Sequence, residues 1–397
     1  MELSRKNQNI TASLTLAIDA KAKKMRSDGI DVIGFGAGEP DFNTPNHIIE
    51  AAKEALDNGY TKYTPSSGII ELRHAICKKL MQDNNVDYKL DEILVSNGAK
   101  HSLYNIFQAI LNPGDEVIIP LPYWVSYPEM VKMAGGIPVF IESLEQDGFS
   151  IDLENLEDAI NSKTKALIIN SPNNPCGCVY DRELLEKIAE LAIKHDFLVV
   201  SDEIYESLLY DGVEHVSIAS LGPEIKDRTL LVNGMSKGYA MTGWRIGYTA
   251  GNQEIIKVMA NIQSHSTSNP NSMAQYASLA ALEGPKDIVL DMVSQFDKRR
   301  TFMVDKINSI NGISCLKPEG AFYVMLNIVD VIGRYHNGKI IKGSLDFADS
   351  LLESQSVAVV PGIAFGADGY VRLSYATSNE NIEEGLNRIE MFVGELK

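Results

Sequence analysis

The chain has 397 residues, 45% hydrophobic and 22% charged, an ordinary globular composition that excludes disordered and fibrous classes. Its 36 basic and 53 acidic residues leave a net charge of −17 with no domain-sized basic stripe, so neither nucleic acid nor an anionic membrane is an expected partner. The length suggests two domains, and no apolar run approaches the ~20 residues of a membrane span.

The opening MELSRKNQNI carries basic groups with no apolar core after them, so no signal peptide is expected, and residues 1–13 read as an arm. A helix is predicted at about Leu14–Asp28. Glu92–Ser96 (EILVS) then reads as a strand and Ala99–Leu111 as a helix. Strands follow at Glu116–Ile119 and Leu167–Asn170, a helix at about Asp181–Lys194, and strands at Phe197–Ser201, Thr229–Val232 and Ile246–Ala250. Strand, crossover and strand in this order predict an α/β domain at about 45–285, its sheet mostly parallel with helices on both faces. Beyond it come a long amphipathic helix near Asp287–Ile310, short strands at Ala321–Leu326, Val357–Val360 and Tyr370–Tyr375, and a helix from Asn379. With residues 14–44, residues 286–397 make a smaller α+β domain.

Four cysteines, Cys77, Cys176, Cys178 and Cys315, form no C-x-x-C pair and are too few for a disulfide framework. Seven scattered histidines give no H-E-x-x-H, so no metal is expected. The expected location is the cytoplasm.

In an open parallel sheet, ligands bind outside the carboxyl ends of the strands. Asn97-Gly98-Ala99-Lys100 follows one strand and opens a helix, where backbone N–H groups can meet an anion. Many strand–helix turns contain glycine without binding anything. Ser201-Asp202-Glu203-Ile204-Tyr205 ends another strand. Its carboxylate and phenol suit a protonated ring nitrogen and a ring oxygen, although an aspartate there also serves as an ordinary helix cap. Asn233-Gly234-Met235-Ser236-Lys237 follows a third strand, with Arg245 eight residues on. A lysine so placed is partly desolvated, which lowers its pKa and frees its amine to attack a carbonyl. Ser236 and Arg245 could clamp a phosphate. A surface lysine near a turn is the plain alternative.

Segments spread along most of the chain carry a resemblance. They are GAGEPDFNTP (36–45), YTKYTPSSG (60–68), ELR (71–73), NPGDEV (112–117), PYWVSYPEM (122–130), NSPNNPCG (170–177), SDEIY (201–205), NGMSK (233–237), MTGWRIGY (241–248), GAFY (320–323) and VRLSYATS (371–378). In this order they resemble the fold type I aminotransferases dependent on pyridoxal 5'-phosphate (PLP), in the bacterial aspartate aminotransferase branch. The resemblance implies a PLP transferase fold with a seven-stranded sheet. It implies that Lys237 holds PLP as a Schiff base and moves the substrate proton, Asp202 pairs with the ring nitrogen, Tyr205 and Asn174 reach the ring O3', and Trp124 stacks on the ring. Gly98, Ala99, Ser236 and Arg245 would bind the phosphate, with Tyr63 reaching it from the second subunit of a homodimer. Arg372 would fork onto the substrate α-carboxylate beside Gly38, with Asn174 and Trp124 also near the substrate.

The stretch 264–270 holds no arginine for a second carboxylate, so Lys100 is the candidate, assisted by Ser13 and Thr15. Relatives also lead us to expect cis bonds at Leu121–Pro122 and Asn174–Pro175. Two positions depart from the family. Cys176 replaces the usual threonine, with little loss expected. Thr11 stands where prephenate-accepting relatives carry a basic residue, which disfavours prephenate. The expected reaction transfers the amino group of aspartate to 2-oxoglutarate. The alternatives are a preference for aromatic or other neutral donors, a PLP carbon–sulfur β-lyase, and a non-catalytic PLP-binding regulator, although the chain leaves no room for the regulator's DNA-binding domain.

Overall fold

A computed structural model describes residues 10, 11 and 14–397. Seven strands build the central sheet: β1 Ile93–Ser96, β2 Glu116–Pro120, β3 Ile137–Ile141, β4 Thr164–Asn170, β5 Leu198–Asp202, β6 Thr229–Gly234 and β7 Gly247–Ala250. Their spatial order is β1-β7-β6-β5-β4-β2-β3. Strand β7 runs antiparallel to both of its neighbours, and the other pairings are parallel. The inner strands are buried on both faces, which is why they read as continuous apolar runs such as LVVSD and TLLVNG.

The expected seven-stranded sheet is present, but the sequence pattern missed β3. Its IPVFI run contains Pro138, and its residues are mostly exposed or half-exposed. An edge strand can spare an N–H, so the proline is tolerated there while it weakens the strand signal.

A second, three-stranded antiparallel sheet comprises β8 Tyr323–Asn327, β9 Val360–Pro361 and β10 Tyr370–Ser374, with β10 in the middle. Its core gathers Phe296, Phe322, Phe347, Leu373 and Phe392. The predicted strand at 357–360 divides instead between two sheets: Val357–Ala358 pairs in parallel with Ile33–Gly34, and Val360 with Arg372. The helix Leu14–Ser27 lies against this part of the molecule. Its Ala22 packs with Leu352 and Ala358, and Lys21 pairs with Asp349 at 2.9 Å.

Leu121–Pro122 is cis, as expected. The second expectation is corrected: the other cis bond is Ser171–Pro172, not Asn174–Pro175. Pro175 sits inside a turn closed by the Gly177 N–H on the Asn173 carbonyl, 3.0 Å, with the Asn174 N–H on Asn170 Oδ1, 2.8 Å. This compact turn is built on an ordinary trans bond. Among the described residues, no helix is long and apolar enough to cross a membrane.

Candidate active site

The carboxyl ends of β1, β4, β5 and β6 open onto one cleft of about 550 Å³. Asn170 ends β4, Asp202 ends β5, and Lys237 lies three residues past β6. This is where an α/β sheet collects its polar groups. Arg372 enters from β10 of the other sheet, so the cleft lies between the two layers.

Asp202 is buried, and that burial pushes its carboxyl up to about 6. Two hydrogen bonds oppose the rise: the Tyr127 hydroxyl donates to Oδ2 at 2.7 Å and the Ile204 N–H to Oδ1 at 3.3 Å. Lys237 is half-buried and donates to the Gly38 carbonyl at 2.5 Å. Desolvation lowers its amine to about 8, partly offset by Glu39 and reinforced by Arg372 and Arg245. Its nucleophilic neutral form is therefore accessible near physiological pH.

Arg372 is buried, with Nη1 on Asn174 Oδ1 at 2.8 Å and Nη2 on the Gly36 carbonyl at 3.1 Å. Its Nε finds no partner among the described residues, a cost that a bound carboxylate would remove. The Tyr323 ring lies 4.3 Å from its guanidinium and holds it from the side. Asn174 also donates to the Tyr205 hydroxyl at 3.4 Å, which in turn pairs with the Tyr323 hydroxyl at 3.0 Å. Burial keeps Tyr205 well above its ordinary pKa, so it is a neutral phenol.

The anion end is built from backbone. Gly98 has φ +89° and caps the helix Ala99–Ile110. A Cβ there would run into the Arg245 guanidinium, so glycine is what lets the arginine lie over this helix N-terminus. Arg245 itself takes a left-handed φ of +58° and is braced by Nη1 on the Thr242 carbonyl at 2.7 Å. Ser236 faces the same space. The Lys100 amine rests 4.8 Å from the centre of the Trp124 ring, and burial, then Arg245, lower its pKa.

Of the expected residues, Thr15, Gly38, Ala99, Lys100, Trp124, Asn174, Asp202, Tyr205, Ser236, Lys237, Arg245 and Arg372 all line this one cleft, and Gly98 adjoins it through Arg245. The Thr15 hydroxyl is buried without a partner among the described residues. Ser13 lies outside the described residues. Tyr63 is not in the cleft: it is 91% exposed, on a loop whose neighbours are fixed by Gln275. Sequence reasoning assigned no role to Tyr127, Tyr323, Glu39 or Thr242, although all four fall in the quoted segments. Glu39 accepts from Thr242 Oγ1 at 2.7 Å across the mouth of the cleft.

These groups fit pyridoxal phosphate. A buried carboxylate suits a cationic ring nitrogen, a glycine turn under an arginine suits a phosphate, and a softened lysine suits an aldehyde. Among the described residues the cleft is lined by five basic side chains (Lys23, Lys100, Lys237, Arg245, Arg372) against two carboxylates (Glu39, Asp202), in a chain whose net charge is −17. Such a focus of positive charge draws in anionic ligands.

Comparison with known proteins places the chain in a family. The family model described as aminotransferase class I and II matches residues 30–389. The aspartate aminotransferase of Bacillus subtilis is 51% identical over 393 residues, covering 99% of each chain. An aspartate/prephenate aminotransferase of Nitrosomonas europaea is 47% identical over 392 residues, 98% of this chain and 99% of that one. Among solved structures, the aspartate aminotransferase of Rhizobium meliloti superposes with a TM-score of 0.97 at 44% identity over the whole of both chains. That of Thermus thermophilus with maleate superposes with 0.93 at 46% identity, covering 99% of this chain and 100% of the other.

Proposed function

The chain belongs to the class I and II aminotransferases, and from that premise we propose that it moves the amino group of L-aspartate to 2-oxoglutarate, with pyridoxal 5'-phosphate as cofactor, giving oxaloacetate and L-glutamate. The observation that carries this reading is the convergence of Lys237, Asp202 and Arg372 on one cleft rich in cations.

When bound, pyridoxal phosphate supplies an electron-poor ring that takes up the charge left at the substrate Cα. The protein's part is binding, orientation and proton transfer. Asp202, at the base of the cleft, would keep the ring nitrogen protonated, with Tyr127 steering the carboxylate. Trp124 would cover one face of the ring, and Tyr205 and Asn174 would bond its oxygen. The Gly98–Ala99 backbone, Ser236 and Arg245 would hold the phosphate. Arg372 would fork onto the α-carboxylate with the orphaned Nε as one donor, while Asn174 and the Gly38 backbone orient the same end. Lys237 Nζ would take the Cα proton and return it, acting as base and then acid. Lys100, with Thr15, would receive the distal carboxylate by leaving the Trp124 ring. The maleate in the Thermus structure is itself a dicarboxylate.

The finer placement, a cytoplasmic homodimer with shared sites, is also our reading. A tyrosine as exposed as Tyr63, held on a braced loop, supports a role across a two-fold interface. A donor panel with 2-oxoglutarate tests the function: kcat/KM should be highest for aspartate, with aromatic and other neutral donors accepted slowly. Release of pyruvate and ammonia from a sulfur amino acid, without glutamate formation, would move the assignment to a β-lyase.

A further inference from the structure

The C-G-C run at 176–178 takes no part in the chemistry above, yet it belongs to the turn that aims Asn174. Cys176 Sγ lies 3.1 Å from Cys178 Sγ and 3.0 Å from Asn173 Oδ1, to which it donates. The Asn173 N–H closes the other side of the turn on the Cys178 carbonyl at 2.9 Å. Between the sulfurs, Gly177 has φ +71°, with Pro318 and the Gly320 carbonyl packed where a side chain would go. The two thiols are thus held in contact by one hydrogen-bonded turn. A disulfide needs S–S ≈ 2.05 Å, so about 1 Å of closure separates this pair from a bond. Residues two apart span at most ~7 Å of chain, close to the Cα separations disulfides use.

We propose that Cys176 and Cys178 form a two-electron redox site, a dithiol that a peroxide closes to a disulfide and that thereby loosens Asn174. Cys178 is partly exposed and Cys176 buried, so the first attack falls to Cys178. Its sulfur takes one peroxide oxygen as the O–O bond breaks, giving a sulfenic acid and one water. The Cys176 sulfur then displaces that oxygen as a second water. Overall two S–H bonds and one O–O bond break, one S–S bond forms, and two electrons with two protons pass to the peroxide. The bonded Cys176 thiol, and then burial, hold Cys178 well above its ordinary pKa, so the reaction is slow at neutral pH and quickens as pH rises.

Closure removes the Cys176 donor from Asn173 Oδ1 and pulls on the turn whose next residue, Asn174, holds Arg372 Nη1 at 2.8 Å and reaches the Tyr205 hydroxyl. Oxidation should therefore weaken substrate carboxylate binding by about one hydrogen bond, roughly three- to tenfold in KM for aspartate. This consequence rests on the reading of Asn174 and Arg372 given above.

The test treats the holoenzyme with hydrogen peroxide at neutral and alkaline pH, alkylates it, and digests it with trypsin. One peptide, residues 166–182, carries both cysteines. It should become two hydrogens lighter and resist alkylation, faster at alkaline pH, and dithiothreitol should reverse both changes along with the rise in KM. Cys176→Thr and Cys178→Ser should each abolish the lighter peptide and the KM response. A peptide that stays fully alkylated while Cys77 is oxidised overturns the redox site. A lighter peptide with unchanged KM overturns its coupling to the active site. Asn174→Ala separates the underlying reading: if that variant keeps the wild-type KM, the substrate assignment of Asn174 fails, while the peptide mass still decides the dithiol.

Discussion

Asp202→Asn should stabilise the cofactor-free enzyme while crippling the loaded one. The carboxyl ordinarily titrates at 3.8, and burial raises it to about 6 in the folded chain. A folded pKa above the unfolded value means that folding favours the protonated form. The group's contribution is most favourable below pH ~4 and is lost as pH climbs through 6. A shift of about two units is worth about 3 kcal/mol of destabilisation at pH 8, and Asp202 is too buried for solvent to screen it. The amide is isosteric, can still accept from Tyr127, and never ionises. The variant's advantage should therefore be small near pH 4, grow by about 1.4 kcal/mol per pH unit between 4 and 6, and level off above 7. Thermal unfolding of the cofactor-free protein at one fixed concentration, between pH 5 and 8, reads this as a midpoint gain of several degrees that widens with pH. Loading the cofactor should reverse the order, because only the wild type gains an ion pair. Turnover of the loaded variant should fall by 10²–10³ or more. A variant no more stable than wild type, or one whose advantage is flat from pH 5 to 8, refutes the reasoning that this carboxylate is strained until a cation meets it.

Gly98→Ala places a methyl group in the Arg245 guanidinium at a φ of +89°, so affinity for pyridoxal phosphate should drop at least tenfold in a fluorescence titration, with the fold intact by circular dichroism. Arg372→Lys keeps the charge but loses the fork and the contact with Tyr323, and kcat/KM should fall about 10- to 100-fold for aspartate and neutral donors alike. Lys100→Ala should instead raise KM for aspartate and 2-oxoglutarate by one to two powers of ten and spare neutral donors; equal losses on both would remove Lys100 from the distal carboxylate. Borohydride reduction of the yellow holoenzyme should fix the cofactor on Lys237, and a labelled peptide from any other lysine would sink that assignment.

The buried strands were legible because a strand covered on both faces has no polar alternation to confuse the eye: LVVSD and TLLVNG announce themselves. Edge strand β3 was not, since IPVFI combines a proline with exposed positions, and only its parallel pairing to β2 makes it a strand. The cis bond was displaced for a related reason. S-P-N-N-P offers two prolines three residues apart, and residue types alone do not say which of them takes the cis bond.

The same distinction runs through the site. Asp202 and Lys237 could be picked out in advance because one ends an apolar strand and the other follows one by three residues, where charge is costly and so carries a purpose, whereas Arg372 was named by the resemblance alone. Tyr127 and Tyr323 could not be assigned that way, because a tyrosine in an apolar segment is usually core. Their function lies in a hydroxyl aimed at one atom: Tyr127 at Asp202 Oδ2, and Tyr323 at the Tyr205 hydroxyl while its ring supports Arg372. That aim depends on the helix beginning at Ser126 and on the register of β8 against β10, where Tyr323 pairs with Ser374 and Arg372 with Met325. Residues proposed to meet the cofactor or substrate are thus chosen by their chemistry, and those that hold them in place by geometry. Only the first kind is written in residue types, which is why the positioning shell around Asp202 and Arg372 emerged only with the fold.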